Sequence, residues 1–195
     1  MCTRFSVLDS MSPGGVWRHV AVPSRLYFQK SQEKPLNGLR IAIKDNFHVS
    51  CIQTTMSSRA YMEIYGPDLE SANYVKLLPK LGGIIVGKSK SSPFVSFNEL
   101  TDQWIDFISP TNPRGDRYQS PTISSSGSAA ALAGYEWLDF SIGTNSKFRR
   151  YYKGDFQLIV TPIGSVRAPA AANGLFSLRP SHNSTSLEGL QPGCE

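Results

Sequence analysis

The apolar positions of this 195-residue chain fall in short clusters set apart by turn formers and polar runs. Leu39-Arg40-Ile41-Ala42-Ile43 alternates in part and is rich in branched residues, which predicts a strand. It stops at Lys44-Asp45-Asn46, and side chains at such a strand end are well placed to face a site. Asp68, following Pro67, predicts the cap of a helix beginning at Leu69. Ala72, Val75 and Leu78 recur every three residues along it, and Pro79 is expected to end or kink it. Gly82-Gly83 then leads into Ile84-Ile85-Val86, a short buried strand. Residues 109–128 are dense in Ser, Pro, Thr and Gly and predict a loop. A helix is expected to start near Ser128-Ala129-Ala130-Ala131, and Leu138–Gly143 reads as a strand running into a glycine turn. Such alternation of helix and strand points to an α/β layout. Residues 1–37 carry little periodicity and several turn formers, so they read as a loose lead-in to a domain over 38–195.

Composition narrows the class. A chain that is 40% hydrophobic and 18% charged is that of a globular protein, not a disordered one. Its first residues show no signal-peptide pattern, and no apolar run is long enough to span a bilayer, so a cytoplasmic setting is expected. Cys2, Cys51 and Cys194 have no metal-ligand spacing, and neither metal nor organic cofactor is expected. The net charge of +5 is a local matter. Residues 147–162 hold Lys147, Arg149, Arg150 and Lys153 against Asp155 alone, and without them the charge falls to +2.

Three stretches carry candidate chemistry. Ser124-Ser125-Ser126-Gly127-Ser128 lies between a loop and a helix start, where unpaired backbone N–H groups gather. Ser-rich runs are more often plain polar linkers, and only the Ala-rich helix behind this one argues otherwise. Ser165 follows Gly164 and precedes Arg167-Ala168-Pro169. Lys44 closes an apolar strand; most lysines are solvated, but one buried beside hydroxyls loses basicity and can serve as a general base. Ser–Lys pairs activate a serine without histidine. None of His19, His48 and His182 sits in a motif, and each reads as structural or surface.

AIKDN, SSSGSAAALA and GSVRAPAAANGLFSLRPS stand in an order and context that resembles the amidase signature family, from about Gly38 to about Ser181. The likeness is closest to fungal amidase-like proteins, ahead of glutamine-dependent amidotransferase subunits. The resemblance implies an α/β core with a mixed, twisted sheet flanked by helices, present here in its N-terminal portion and truncated on the C-terminal side. It implies hydrolysis of a carboxamide bond in a small-molecule amide, with neither nucleic acid nor a membrane span involved. Lys44 would be the base, Ser124 the bridging serine on a cis peptide, and Ser165 the nucleophile that forms an acyl-enzyme. Backbone N–H groups of Ile163 and Gly164 would make the oxyanion hole. Two departures stand out. Asn145 replaces an aspartate of the family, and 16 residues, 147–162, interrupt a loop that is continuous elsewhere in the family. The interruption reads as an insertion or translated intron, and the alternative function is a catalytically dead binding or regulatory module.

Two rival motifs carry less weight. Gly82–Ser89 matches the phosphate-loop pattern literally, but its apolar strand lies inside the supposed loop and Pro93 follows where a helix should continue. KFRRYYKG at 147–154 interleaves cations with aromatics as single-strand nucleic-acid binders do, yet it is one short cluster inside the interruption.

Overall fold

The computed structural model describes residues 5–8, 11–15, 19–96, 103–145, 164–181 and 184–191. Its centre is a three-stranded sheet in which β1 (Arg40–Lys44) lies between β2 (Ile84–Ser89) and β3 (Phe140–Ile142), paired in parallel with both. Four α-helices accompany it among the described residues: α1 (Arg59–Ile64), α2 (Asn73–Lys80), α3 (Ser126–Gly134) and α4 (Arg167–Ala172). The α/β layering expected from the sequence is present. Parallel strands require crossovers, and α2 lies in the one from β1 to β2 while α3 lies in the one that passes β1 from β2 to β3.

Every residue of β1 is buried, as a central strand covered on both faces must be. Alternation sends its side chains to two unlike layers. Ile41 and Ile43 join Phe47, Val49, Ala72, Val75 and Leu78 in the apolar core beneath α2. Each such aliphatic side chain contributes about 1.5–3 kcal/mol on burial. Ala42 and Lys44 occupy the other face, where α3 packs.

Boundaries shift where tertiary contacts outbid local signals. The helix expected from Leu69 begins at Asn73, because Asp68 is engaged elsewhere: its carboxylate meets His48 Nδ1 at 3.2 Å and accepts from Thr54 Oγ1 at 3.0 Å. Pro79 sits inside the last turn and the helix ends one residue later. Helix α1, without a periodic apolar face, was not anticipated; Ser58 starts it by accepting from the Tyr61 N–H. Strand β2 continues past Val86 to Ser89, since Lys88 can stay on a covered strand only by pairing with Asp45, 3.2 Å away. Burial lowers the Lys88 pKa, and Asp45 pulls it partly back. The phosphate-loop reading fails on the same ground: most of the pattern is strand, and its lysine is bound to a carboxylate.

The lead-in packs on this core. Arg25 donates to the Trp137 carbonyl at 2.8 Å and pairs with Asp139, which also accepts from the Arg40 N–H at 2.8 Å. No helix among the described residues is long and apolar enough to cross a membrane.

Close approach of α3 to β2 depends on Gly127. A Cβ there would lie 2.8 Å from the Lys90 backbone nitrogen and 3.0 Å from its carbonyl carbon. Helix propensity alone favours Gly→Ala by about 1 kcal/mol, whereas overpacking costs about 1–3 kcal/mol. Gly127→Ala should therefore lower the denaturation midpoint. A raised midpoint in urea would show that α3 does not sit so close.

Candidate active site

Strand β1 delivers Lys44 to its C-terminal end, fully buried. Its Nζ donates to Ser124 Oγ at 2.8 Å and to Thr144 Oγ1 at 3.0 Å. Asn46, also fully buried, donates to the same Thr144 hydroxyl at 3.1 Å. Ser124 closes the loop ahead of α3. Its hydroxyl donates to the Val95 carbonyl at 3.2 Å, and its own carbonyl accepts from the Ser92 N–H. The cis peptide that the resemblance attached to Ser124 is absent, since all peptide bonds among the described residues are trans. The chain turns instead through Thr122, at φ 64°, and a 2.8 Å bond from the Ser126 N–H to the Ile123 carbonyl.

Beyond β3, Gly143-Thr144-Asn145 runs alongside the start of α4. A Cβ on Gly143 would stand 2.8 Å from Ser125 Oγ and 3.1 Å from Val166 Cγ2. The Ser165 N–H donates to Asn145 Oδ1 at 2.9 Å, and a Cβ on Gly164 would meet the Asn145 amide at 2.9 Å. Residues on the two sides of the interruption are therefore in contact. Ile163 and the interruption at 147–162, including the basic–aromatic cluster, lie outside the described residues.

Of the residues singled out in the sequence, Lys44 and Ser124 touch directly. Ser165, buried, is tied to them through Asn145, the chain neighbour of Thr144, and Gly164 packs on that same asparagine. The sequence reading assigned no role to Thr144, Asn46 or the Val95 carbonyl. Asn46 lay within a quoted motif and Thr144 directly follows the glycine turn after β3, but only the fold brings them to one amine. His48 fits its structural reading, bonded on its two nitrogens to Asp68 and Gln191.

Beside this cluster lies a largely apolar cavity of about 800 Å³. Ser125, Thr144, Asn145 and Val166 form one part of its wall, while Phe47, Tyr74, Leu132, Phe140 and Ile142 extend it around β3. Lys44, Ser124 and Ser165 are not in the wall, so the cavity adjoins the polar cluster without enclosing it. Chemically, an amine and a hydroxyl in direct hydrogen bond can exchange a proton.

The family model described as Amidase matches residues 17–146, up to the edge of the interruption. The chain belongs to the amidase family. A glutamyl-tRNA(Gln) amidotransferase subunit from Sulfurisphaera tokodaii is 34% identical over 161 residues, which are 83% of this chain and 29% of that protein. Amidase 1 of Oryza sativa subsp. japonica is 32% identical over 162 residues, 83% of this chain and 33% of the relative. Among solved structures, the allophanate hydrolase of Kluyveromyces lactis superposes with a TM-score of 0.61 at 28% identity, over 84% of this chain and 23% of that one. Peptide amidase from Stenotrophomonas maltophilia gives 0.57 at 27% identity, over 82% and 29%. The chain thus spans about a third or less of the length of these amidase relatives.

Thr144 is the acceptor shared by Lys44 and Asn46. Replacing it with valine keeps its shape and strands two buried donors short of a partner, at a cost of about 1–3 kcal/mol. Thr144→Val should lose that much in chemical denaturation while Thr144→Ser loses little. Equal stability of the two would mean that the hydroxyl bonds contribute nothing.

Proposed function

We propose that this chain carries the serine–serine–lysine machinery of an amide hydrolase. The observation that supports it most is the buried Lys44 amine at 2.8 Å from Ser124, with Ser165 held on the neighbouring loop. In this reading Lys44, deprotonated, takes the Ser124 proton as Ser124 takes that of Ser165. The Ser165 oxygen then attacks the amide carbonyl, forming the C–O bond. Collapse of the tetrahedral intermediate breaks the C–N bond, with the proton returned through Ser124 to the departing amine. Water enters by the same relay and cleaves the acyl-serine. The family resemblance assigns the oxyanion to the N–H groups of Gly164 and Ile163, while the Ser165 N–H is engaged by Asn145. Names of relatives support the class, carbon–nitrogen bonds of carboxamides, and the substrate is read as a small-molecule amide.

An activated serine reacts with a fluorophosphonate. Wild type should be labelled at Ser165 and Ser165→Ala not at all, while Lys44→Met should slow labelling by about 10²–10⁴-fold, the usual worth of a general base. A wild-type chain that takes no label would instead be a catalytically silent member of the family, acting by binding.

The same reading treats 147–162 as an insertion into a loop that is otherwise continuous, with a translated intron as its source. Contact of Asn145 with Gly164 and Ser165 supports it. With 147–162 gone, Ser146 and Ile163 alone must join Asn145 to Gly164, three Cα–Cα steps with a reach of about 11 Å. Shortening the connection from eighteen residues to two lowers the closure entropy by about 2 kcal/mol. Deleting 147–162 should raise the melting midpoint and speed fluorophosphonate labelling. An unfolded deletion variant would show that the segment is integral to the fold.

A further inference from the structure

The carboxylate of Asp45 is the most heavily engaged acidic group among the described residues, and the proposed chemistry does not use it. Oδ1 pairs with Lys88 Nζ at 3.2 Å, the two side chains being 7% and 12% exposed. Oδ2 accepts from the Thr55 N–H at 3.0 Å, the Thr55 hydroxyl at 2.9 Å and the Met56 N–H at 2.8 Å. Lys88 also reaches Thr54 Oγ1 at 3.1 Å. One buried ion pair thus binds the end of β1, strand β2 and the 53–56 segment together.

That segment leads to Ser124. Met56 and Ser57 stand at φ 50° and 52°, and opposite them Phe94 and Val95 stand at 51° and 58°. Non-glycine residues avoid this region, and for a β-branched valine it is a genuine outlier. Each such residue persists only when its surroundings over-determine it. Here the Phe94 N–H donates to the Met56 carbonyl at 3.0 Å, Ser57 Oγ donates to the Ser91 carbonyl at 2.6 Å, and the Met56 and Val95 side chains pack together. The carbonyl of Val95 then accepts the Ser124 hydroxyl at 3.2 Å. A continuous path runs from Lys88 and Asp45 through Met56 and the strained corner to the hydroxyl beside Lys44.

We propose that Asp45 and Lys88 are positioning residues, whose ion pair holds the Met56–Val95 corner so that the Val95 carbonyl fixes the place of the Ser124 oxygen beside Lys44. The consequence for catalysis rests on the serine–lysine reading above; the coupling itself does not. With the pair intact the Ser124 oxygen is held within 2.8 Å of the lysine, its proton resting on Val95 until the amine takes it. Without the charge on Asp45 the corner relaxes and that placement is lost.

The test compares wild type with the double variant Asp45→Asn/Lys88→Met, in which neither charge is left orphaned, and with Lys88→Arg, which keeps the pair. Amide hydrogen exchange is followed by mass spectrometry on peptides spanning 92–96, 122–126 and, as a control, 73–80. We expect faster exchange at 92–96 and 122–126 in the double variant with 73–80 unchanged, and wild-type behaviour in Lys88→Arg. The maximal rate of fluorophosphonate labelling should fall about 10- to 100-fold at an unchanged half-saturating concentration, the effect of a misplaced rather than a missing group. Unchanged exchange at 122–126, or a uniform rise that includes 73–80, would overturn the proposal. Wild type inert to the probe but with the selective exchange pattern would retire the hydrolase reading and leave the coupling standing.

Discussion

A lysine with no exposed surface at the end of the central strand is the constraint on which the rest of this structure depends. A buried amine donor left without an acceptor costs about 1–3 kcal/mol, so its hydrogens must find acceptors. Ser124 and Thr144 accept from it, and they arrive on two different loops, one ahead of α3 and one after β3. Both loops must end at the same point in space. Small residues make that possible: Ala42 on the facing side of β1, Gly127 where α3 meets the Lys90 backbone, and Gly143 against Ser125.

The sheet consequently has two unlike faces. Beneath α2 the packing is aliphatic and supplies cohesion. On the α3 face it is built from short hydroxyl side chains whose hydrogen bonds depend on one another. Ser89 and Ser128 share a 2.7 Å bond, and Ser141 donates to the Ser128 carbonyl at 2.8 Å. Buried polar networks of this type are costly when incomplete and specific when complete. The polar face therefore dictates register and loop geometry, while the apolar face supplies most of the stabilisation. Consecutive residues serve both needs at the end of β1: Lys44 organises Ser124 and Thr144, and Asp45 organises β2 and the 53–56 segment.

Much of the scaffold was legible in the chain. Ile41 and Ile43 announced the central strand because a strand covered on both faces has to be apolar. The Ala-rich run announced α3, since alanine favours helix wherever it packs. Helix boundaries were less legible. Asp68 resembles a cap, yet His48 and Thr54, distant in sequence, compete for its carboxylate and delay the helix by four residues. Strand β2 outran its apolar stretch because Lys88 found a counter-ion that local pattern does not reveal.

Residue types and their order, by themselves, determined the family and singled out candidate groups for its chemistry. A lysine after an apolar strand, a serine run before an Ala-rich helix and a serine after a glycine belong to the amidase family's arrangement. They did not determine which of those groups meet. Only the tertiary structure decided that Thr144 and Asn46 share the lysine's surroundings, that Asn145 clasps Ser165 from across the interruption, and that Val95 orients Ser124. The physical reason is one of range. Helix and strand preferences act over a few residues and can be read locally. A buried amine takes whichever acceptors the fold brings within 3 Å, and here those lie 80 and 100 residues away along the chain.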